Sequence, residues 1–380
     1  MKTLLNRFKA SLIGAIGLGL IAMPALAVND VLSTASLQTD LASENLLLDI
    51  AKAGDRLVTV GFRGHIIYSD DAGKTWQQAQ VPVSVLLNAV SFVDDTHGWA
   101  VGHSGVILHT VDGGKTWLTQ FDGNAANKMV ITQAEKRVEV MQEKLDQATE
   151  DELEDLEYKF EDAQYALEDA RLDAEVGASK PFLDVLFSSR KEGFAIGAYG
   201  YFFKTKDGGM TWENYGTRIQ NPDRFHLNAI NIIKGGALFI VGEAGIIFRS
   251  KDGGESWQTL DSPYAGSFFG VIGTHERDAV IAFGLRGNLY RSQNAGNTWI
   301  AVDSGSEGTL VSAAISQEGD ISVVGNSGTV LFSKDGGRSF SEIIRGDRLS
   351  NTSAVFIEPN KIALVGENGV NISRPTGSNL

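Results

Sequence analysis

The sequence contains no cysteine in its 380 residues. Disulfide bonds, thiol chemistry and lipidation of a cysteine at an export cleavage site are therefore excluded. Recognisable catalytic signatures are missing too, since neither H-E-x-x-H nor G-x-S-x-G occurs. The histidines show no metal-ligand spacing; they are His65, His97, His103, His109, His226 and His275. We therefore expect no metal, no cofactor and no catalytic residue.

An apolar run long enough to cross a membrane is also absent. The longest run, from about Ser11 to Met23, is shorter than the roughly 20 residues that a spanning helix needs. It follows a basic start and precedes the small-x-small sequence Ala25-Leu26-Ala27, which is typical of a cleaved secretory signal over residues 1 to 27. We expect an exported protein, periplasmic in a cell with two membranes and peripheral to the membrane at most.

An eight-residue motif, S/T-x-D-G-G-x-T-W, recurs six times with small variations and is an Asp-box. Its acidic position holds Asp71, Asp112, Asp207, Asp252, Asn294 and Asp335, and its aromatic position Trp76, Trp117, Trp212, Trp257, Trp299 and Phe340. Short polar side chains accept hydrogen bonds from turn amides, and glycine supplies positive φ. We interpret the motif as a structural hairpin turn, because every copy repeats the same residue types.

A second motif is a G-x-x-G turn in register with the Asp-boxes, and its seven copies start at residues 61, 102, 197, 242, 284, 325 and 366. A period near 40 residues built from short apolar strands and glycine turns is typical of a β-propeller. The second copy divides into strands at Leu87–Phe92, Gly98–Gly102, Val106–His109 and Trp117–Phe121. The sequence therefore predicts an all-β fold, a seven-bladed propeller over residues 28 to 125 and 178 to 380.

The seventh repeat is one strand short, because the chain ends soon after Ser373. An open ring would leave unpaired strand edges, which proteins avoid. We therefore predict that Val28 to Ala35 forms a strand that closes the ring by pairing with the last blade. Deletion of residues 28 to 36 should then lower the melting temperature sharply.

One interval between G-x-x-G turns is 95 residues instead of 41 to 45. The excess, residues 126 to 177 between blades two and three, carries apolar residues at heptad spacing, interrupted at Thr149 to Glu152. These residues are Ile131, Ala134, Val138, Met141, Leu145, Ala148, Leu153, Leu156, Phe160, Ala163, Leu167, Ala170 and Ala174. The pattern predicts an antiparallel coiled-coil hairpin with arms of about 35 Å, at about 1.5 Å per residue.

The insertion is strongly acidic, with sixteen Asp or Glu against six Lys or Arg. One interpretation is the solvated outer face of a two-helix coiled coil. The other is a docking arm for a basic partner surface. In both cases nucleic acid is an unfavourable ligand, because its phosphates would be repelled.

Connections in an antiparallel blade alternate ends, so the insertion and the G-x-x-G turns should share one face, opposite the Asp-boxes. The variable residues between the glycines then form a ring of candidate binding residues. We select from it Arg63, His103, Tyr199, Glu243, Arg286, Asn326 and Glu367. The alternative is that they are ordinary hairpin-turn residues.

The succession of G-x-x-G turn, apolar strand and Asp-box resembles the photosystem II assembly and stability factor family over residues 46 to 373. The resemblance implies an exported, non-enzymatic propeller that binds a membrane protein during its biogenesis. It also implies an arginine-rich binding patch, for which this chain offers Arg63 and Arg286 in turns and Arg249 and Arg291 on third strands. The acidic insertion departs from the family pattern and suggests a bacterial relative that serves another envelope complex, such as a membrane transporter.

Asp-boxes also occur in sialidases, so a glycoside hydrolase or a carbohydrate-binding propeller is the alternative function. A sialidase resemblance requires an R-I-P signature near the start, and Arg218-Ile219-Gln220 is the nearest approach, in the wrong place. The sequence thus favours a scaffold that binds a membrane protein or envelope complex.

Overall fold

The computed structural model describes residues 30 to 380, so the predicted signal lies outside the described residues. The chain forms seven antiparallel sheets, six of four strands and the last of three. The first three sheets contain β1 (Leu47–Ala53), β2 (Arg56–Gly61), β3 (Ile66–Ser69), β4 (Gln77–Gln78), β5 (Leu87–Phe92), β6 (Gly98–Gly102), β7 (Ile107–Thr110), β8 (Leu118–Phe121), β9 (Phe182–Phe187), β10 (Gly193–Gly197), β11 (Phe202–Thr205) and β12 (Glu213–Asn214). The fourth to seventh contain β13 (Leu227–Ile232), β14 (Leu238–Gly242), β15 (Ile247–Ser250), β16 (Gln258–Thr259), β17 (Phe268–Gly273), β18 (Val280–Gly284), β19 (Leu289–Ser292), β20 (Ile300–Ala301), β21 (Leu310–Ile315), β22 (Ile321–Gly325), β23 (Thr329–Ser333), β24 (Ser341–Ile344), β25 (Asn351–Glu358), β26 (Lys361–Gly366) and β27 (Gly369–Ser373). The predicted all-β, propeller-like fold is confirmed.

The sheets are held together by apolar side chains that lie between neighbours. Seven clusters of buried residues occupy the seven interfaces between consecutive sheets. The cluster between the last and first sheets joins Leu47 and Leu57 to Ala363 and Val365. The first strand of each sheet contacts those of its two neighbours, and β1 contacts β25. The sheets therefore form a closed ring.

Closure of the ring differs from the prediction. Residues 30 to 35 form no strand, and the last sheet has three strands in the described chain. The amino-terminal segment instead lies along the first sheet, where the Ser36 amide donates to Val81 O (3.0 Å) and the Ser84 amide to Val31 O (2.9 Å). The predicted closing strand is therefore wrong for these residues.

Two other segments without strand structure pack against the last sheet. The 3-10 turn Ala42–Glu44 packs on the G-x-x-G turn of the last sheet, where a Cβ on Gly369 would lie 1.8 Å from Ser43 O. The carboxy-terminal tail folds back between the last two sheets, and Pro375 O accepts a buried hydrogen bond from Ser322 Oγ (2.8 Å). The segment before β1 thus packs on the last sheet, and the tail packs between the sixth and seventh sheets.

The Asp-box turns are also tied from sheet to sheet. A side chain of the preceding sheet donates a hydrogen bond to the carbonyl at the fourth position of every Asp-box. The six pairs are Lys361 with Ala72, Arg56 with Gly113, Gln120 with Gly208, Lys204 with Gly253, Arg249 with Ala295 and Arg291 with Gly336. These donors hold the outer edge of each sheet against the next.

Two helices, α1 (Gly123–Leu145) and α2 (Leu153–Val176), lie between β8 and β9 in the chain and pack on each other. Asp122 caps α1, because its carboxylate accepts hydrogen bonds from the Asn124 and Ala125 amides (both 2.9 Å). The predicted apolar positions are the buried or half-buried ones, except Leu153, which is exposed. Within residues 30 to 380, neither helix is apolar enough to cross a bilayer.

Candidate docking face

Each G-x-x-G turn lies against the residue that precedes the first strand of its own sheet. In the second sheet the His103 amide donates to Leu86 O (2.8 Å), and a Cβ on Gly102 would lie 2.2 Å from that oxygen. The same amide contact occurs in all seven sheets. Turns between second and third strands therefore share a face with the loops that enter the sheets, and the Asp-boxes, which follow third strands, lie at the opposite end. We call the face that carries the G-x-x-G turns and the loops that enter the sheets the docking face.

The third residue of six G-x-x-G turns has a left-handed backbone although it is not glycine. These residues are Arg63, Ser104, Tyr199, Ala244, Arg286 and Ser327, with φ between 53° and 57°. Such a conformation is costly for a residue with a Cβ, and persists where the surrounding structure fixes it. Here the following glycine, also at positive φ, presses against the loop that enters the next sheet in most of the turns. The docking face is therefore rigidly built.

The structure places most of the predicted ring residues in solvent. Those with exposed side chains are Arg63, His103, Tyr199, Arg286, Asn326 and Glu367, whereas Glu243 is half-buried. They lie on seven different sheets, so most are too far apart to form one small site. The ring is better described as a broad, mixed-charge surface than as a ligand pocket.

Two of the ring residues do come together. Tyr199 packs edge-on against His226 with ring centroids 5.0 Å apart, and the His226 amide donates to Glu243 Oε2 (3.1 Å). Lys180 lies over the Tyr199 ring, with Nζ 5.8 Å from its centroid, and forms an ion pair with Asp173 of α2. Sequence reasoning missed Lys180 and His226, because both lie outside the repeated motifs.

The helical hairpin rises from the docking face. Gly123 at the start of α1 is wedged against the second G-x-x-G turn: a Cβ there would lie 2.8 Å from Ser104 O and 2.9 Å from Ala178 Cα. The first turns of α1 are hydrogen-bonded to the third sheet. Tyr201 OH donates to Asn127 Oδ1 (3.1 Å), and Asn214 Nδ2 donates to Gln133 Oε1 (2.7 Å). The hairpin is therefore anchored to the ring.

Asp-box residues hold their own turns. The Asp71 carboxylate accepts hydrogen bonds from the Lys74 and Thr75 amides and from both the Ser69 and Thr75 hydroxyls. Hydrogen bonds from the Thr75 amide and hydroxyl lower the pKa of Asp71 to about 2. Asn294 accepts the equivalent bonds from Ser292 Oγ and the Thr298 amide without a charge. The acidic position therefore serves the turn.

Arg249 and Arg291, which the resemblance offered for a binding patch, are buried ties between sheets. Arg249 donates to Asn297 Oδ1 (2.7 Å) and Gln258 Oε1 (2.8 Å) in addition to the Asp-box carbonyl. Arg291 Nη2 pairs with Glu276 (2.9 Å). Neither guanidinium is available to a partner on the docking face, where Arg63 and Arg286 are the exposed arginines of the four.

The axis of the ring holds a channel of about 190 Å³, lined by first-strand residues of all seven sheets. Its two carboxyls, Asp49 and Asp184, each accept an amide hydrogen bond from the next sheet, from Val90 (2.8 Å) and Ile230 (2.8 Å). Burial raises the pKa of Asp49 to about 6 and that of Asp184 to about 7. These groups link sheets. Between residues 30 and 380, no group of three His, Asp or Glu side chains is arranged to hold a metal ion.

The sequence matches one known protein family over most of its length. The family model described as Photosynthesis system II assembly factor YCF48 matches residues 29–134 and 169–322, more than half of the chain. The unmatched residues between these ranges, 135 to 168, belong to the hairpin. No curated protein matches the sequence significantly.

Solved structures share the fold at low sequence identity. A structure of YCF48 bound to D1 peptide is 16% identical, with a TM-score of 0.60 over 90% of this chain and 95% of the other. YCF48 from Cyanidioschyzon merolae is 14% identical, with a TM-score of 0.60 over 90% of this chain and 98% of the other. The GH74 enzyme of Niastella koreensis is 14% identical, with a TM-score of 0.58 over 87% of this chain and 52% of the enzyme.

Proposed function

Because the chain belongs to the Photosynthesis system II assembly factor YCF48 family, we propose that it is a non-enzymatic assembly factor that binds a membrane protein through its docking face. The family resemblance inferred from the repeated motifs is confirmed by this match. The structure of YCF48 bound to D1 peptide supports peptide binding as the mode of action. The observation that carries the proposal is the family match itself.

The architecture supports a binding role over catalysis. The two carboxyls whose pKa values burial raises lie in the axial channel, and backbone amides occupy their oxygens. A glycosidase needs an acid and a nucleophile or base that can reach the sugar. Asp-box carboxylates are likewise engaged by their turns. We therefore assign no catalytic residue to this chain.

We further propose that the protein is exported, that residues 1 to 27 are its signal, and that its partner is an envelope complex such as a transporter. The acidic hairpin supports a partner whose exported portion is basic. A propeller on the outer side of the membrane would present the docking face to that portion and remain peripheral to the bilayer.

A shortened hairpin tests this proposal. Deleting residues 138 to 164 and joining the ends with a short glycine linker retains Ala126, Asn127 and Gln133, through which the base contacts the ring. Affinity capture from intact envelopes, followed by mass spectrometry, should recover a membrane protein with the full chain and much less of it with the shortened one.

A double substitution at the opposite face, Val111→Ser with Met210→Ser, is the matched control and should capture as the full chain does. Both side chains are exposed in Asp-box turns. Equal recovery of the same partner by the shortened hairpin would show that the hairpin has no docking role. Turnover of fluorogenic sialosides or other glycosides would contradict the non-enzymatic assignment.

A further inference from the structure

The outer side of α2 carries a second apolar stripe, opposite the one that packs on α1. Tyr158, Tyr165 and Leu172 recur every seven residues, and Val176 continues the line one turn later. Their side chains are 72%, 67%, 53% and 74% exposed. A solvated helix face needs no aromatic rings. Single exposed apolar residues are ordinary, but a row of them that repeats every two turns of one helix is typical of an interaction surface.

Charge is distributed unevenly along the two edges of this stripe. On one edge Asp155, Asp162 and Asp169 each pair with a cation of this chain: Lys159 (2.5 Å), Arg137 (2.5 Å) and Arg224 (3.2 Å). The other edge carries a glutamate every seven residues. These are Glu154, Glu161, Glu168 and Glu175, all exposed and none in an ion pair within residues 30 to 380.

We propose that this outer surface of α2, the stripe with its glutamate edge, is a docking site for a basic amphipathic helix of the partner. The inference deepens the docking role proposed above and rests on it. A helix repeats its side chains every 3.6 residues, so a partner helix lying along α2 would meet both the apolar stripe and the glutamates at the same heptad intervals. A partner helix with lysine or arginine beside leucine-like side chains would be complementary to this surface.

The charges disfavour the other occupants. A second copy of this chain would bring one row of unpaired glutamates against another, and like charges repel. An anionic lipid surface would be repelled in the same way. A basic helix would be bound by both the apolar stripe and the glutamate edge. The aromatic rings bury apolar area against it, and the glutamates attract it electrostatically.

The test uses the full mature chain and a fluorescein-labelled helical peptide of three heptads, with leucine at two positions and lysine at two flanking positions of each heptad. Fluorescence anisotropy measures the Kd. The double variant Tyr158→Gln with Tyr165→Gln should weaken binding by about tenfold or more, and it should preserve α2 because glutamine has a high helix propensity. The matched control, Val111→Ser with Met210→Ser, removes two exposed apolar side chains from the opposite face and should change the Kd by less than about twofold.

The glutamate edge is tested separately. Neutralising its four residues to glutamine should weaken binding and remove most of the dependence on salt. A control hairpin loses the same number of charges elsewhere, through Glu139→Gln, Glu143→Gln, Glu150→Gln and Asp151→Asn. This control should retain most of the affinity for the peptide if binding depends on where the carboxylates lie and not on the net charge of the hairpin.

Three results would overturn the inference: no binding of the lysine peptide up to about 1 mM, equal loss in the edge and control variants, or equal binding of a peptide with glutamate in place of lysine. The peptide titration does not depend on envelope capture. If the peptide binds but envelope capture fails, the proposed function is contradicted and the docking site on α2 is supported. If capture succeeds but the peptide does not bind, the docking site on α2 is contradicted and the proposed function is supported.

Discussion

Asp112 shows how a single side chain holds one of the repeated turns. Its carboxylate accepts four hydrogen bonds, from Thr110 Oγ1 (2.8 Å), the Lys115 amide (3.0 Å), the Thr116 amide (3.0 Å) and Thr116 Oγ1 (2.7 Å). At the same position of another turn, Asn294 Oδ1 accepts two such bonds, from Ser292 Oγ and the Thr298 amide, and Asn294 Nδ2 donates a third to Thr298 Oγ1. Hydrogen bonding therefore matters more here than charge.

We predict that Asp112→Ala lowers the free energy of unfolding by about 1–3 kcal/mol, because the turn amides lose their acceptor. Asp112→Asn should lose much less, since asparagine already serves in one repeat. Urea unfolding at pH 7 measures both. Equal stability of the alanine variant and the wild type would show that the carboxylate does not support the turn.

Asp184 gives the protein a pH dependence of the opposite sign to that of most carboxylates. Burial raises its pKa to about 7 in the folded chain, so the folded state binds more protons than the unfolded state between about pH 4 and 7. The stability contributed by this group is full below about pH 4 and is lost as the pH rises through 7. Asp-box aspartates, whose pKa values are lowered, titrate only below this window.

We predict that the wild type loses more stability between pH 5 and 8 than Asp184→Asn, by about 1–3 kcal/mol. Asparagine cannot titrate but still fills the position beside the Ile230 amide. Urea unfolding at the two pH values gives the difference. Parallel pH profiles for the two proteins would contradict the raised pKa.

The carboxy-terminal tail is an irregular element that joins the sixth and seventh sheets. Besides the bond from Ser322, the tail accepts one from the nearly buried Arg345, whose Nη1 donates to Gly377 O (2.9 Å). A Cβ on Gly377 would lie 2.7 Å from Val330 Cγ2, so this turn is pressed against the sixth sheet. The tail stands in the place of a seventh Asp-box.

Removing residues 374 to 380 should therefore lower the melting temperature by several degrees, because buried donors lose their acceptors. Removing Leu380 alone, which is 62% exposed, is the control and should have little effect. Differential scanning calorimetry at one protein concentration compares the two. A melting temperature unchanged by the longer truncation would show that the tail does not stabilise the junction of the sixth and seventh sheets.

The hairpin illustrates what sequence patterns can and cannot predict about an element. The heptad positions and the break near Thr149 predicted two helices that the structure places at Gly123–Leu145 and Leu153–Val176. The sequence pattern did not reveal the outer stripe of α2, because the stripe has the same seven-residue period as the buried apolar positions. Asking which apolar residues remain after the core is assigned would have found it.

For the ring as a whole, the repeated turns predicted the number of sheets and most strand positions, because turn chemistry is local. The first and last sheets meet through the same repeat positions as the other sheets, so closure needs no extra strand, and the closing-strand prediction was wrong for residues 30 to 35 for that reason. The ties through Lys204, Arg249 and Arg291 had a readable signal: a cation within an apolar third strand, one residue before the Ser or Thr of the Asp-box.

The candidate face was predictable in outline but not in detail. Alternating connections were enough to put the G-x-x-G turns on one face. The grouping of Tyr199 with His226, Glu243 and Lys180 required the loops between sheets, whose paths follow no repeat.

Site-specific photo-crosslinking in living cells would show which face of the ring binds the partner. A benzoyl-phenylalanine placed at Tyr199 or Tyr165, on the docking face and its hairpin, is compared with one at Met210 or Val111, on the Asp-box face. We predict that the first pair yields a crosslink to one integral membrane protein and that the second pair does not. Crosslinks to that protein from the Asp-box face alone, or from neither face, would contradict it.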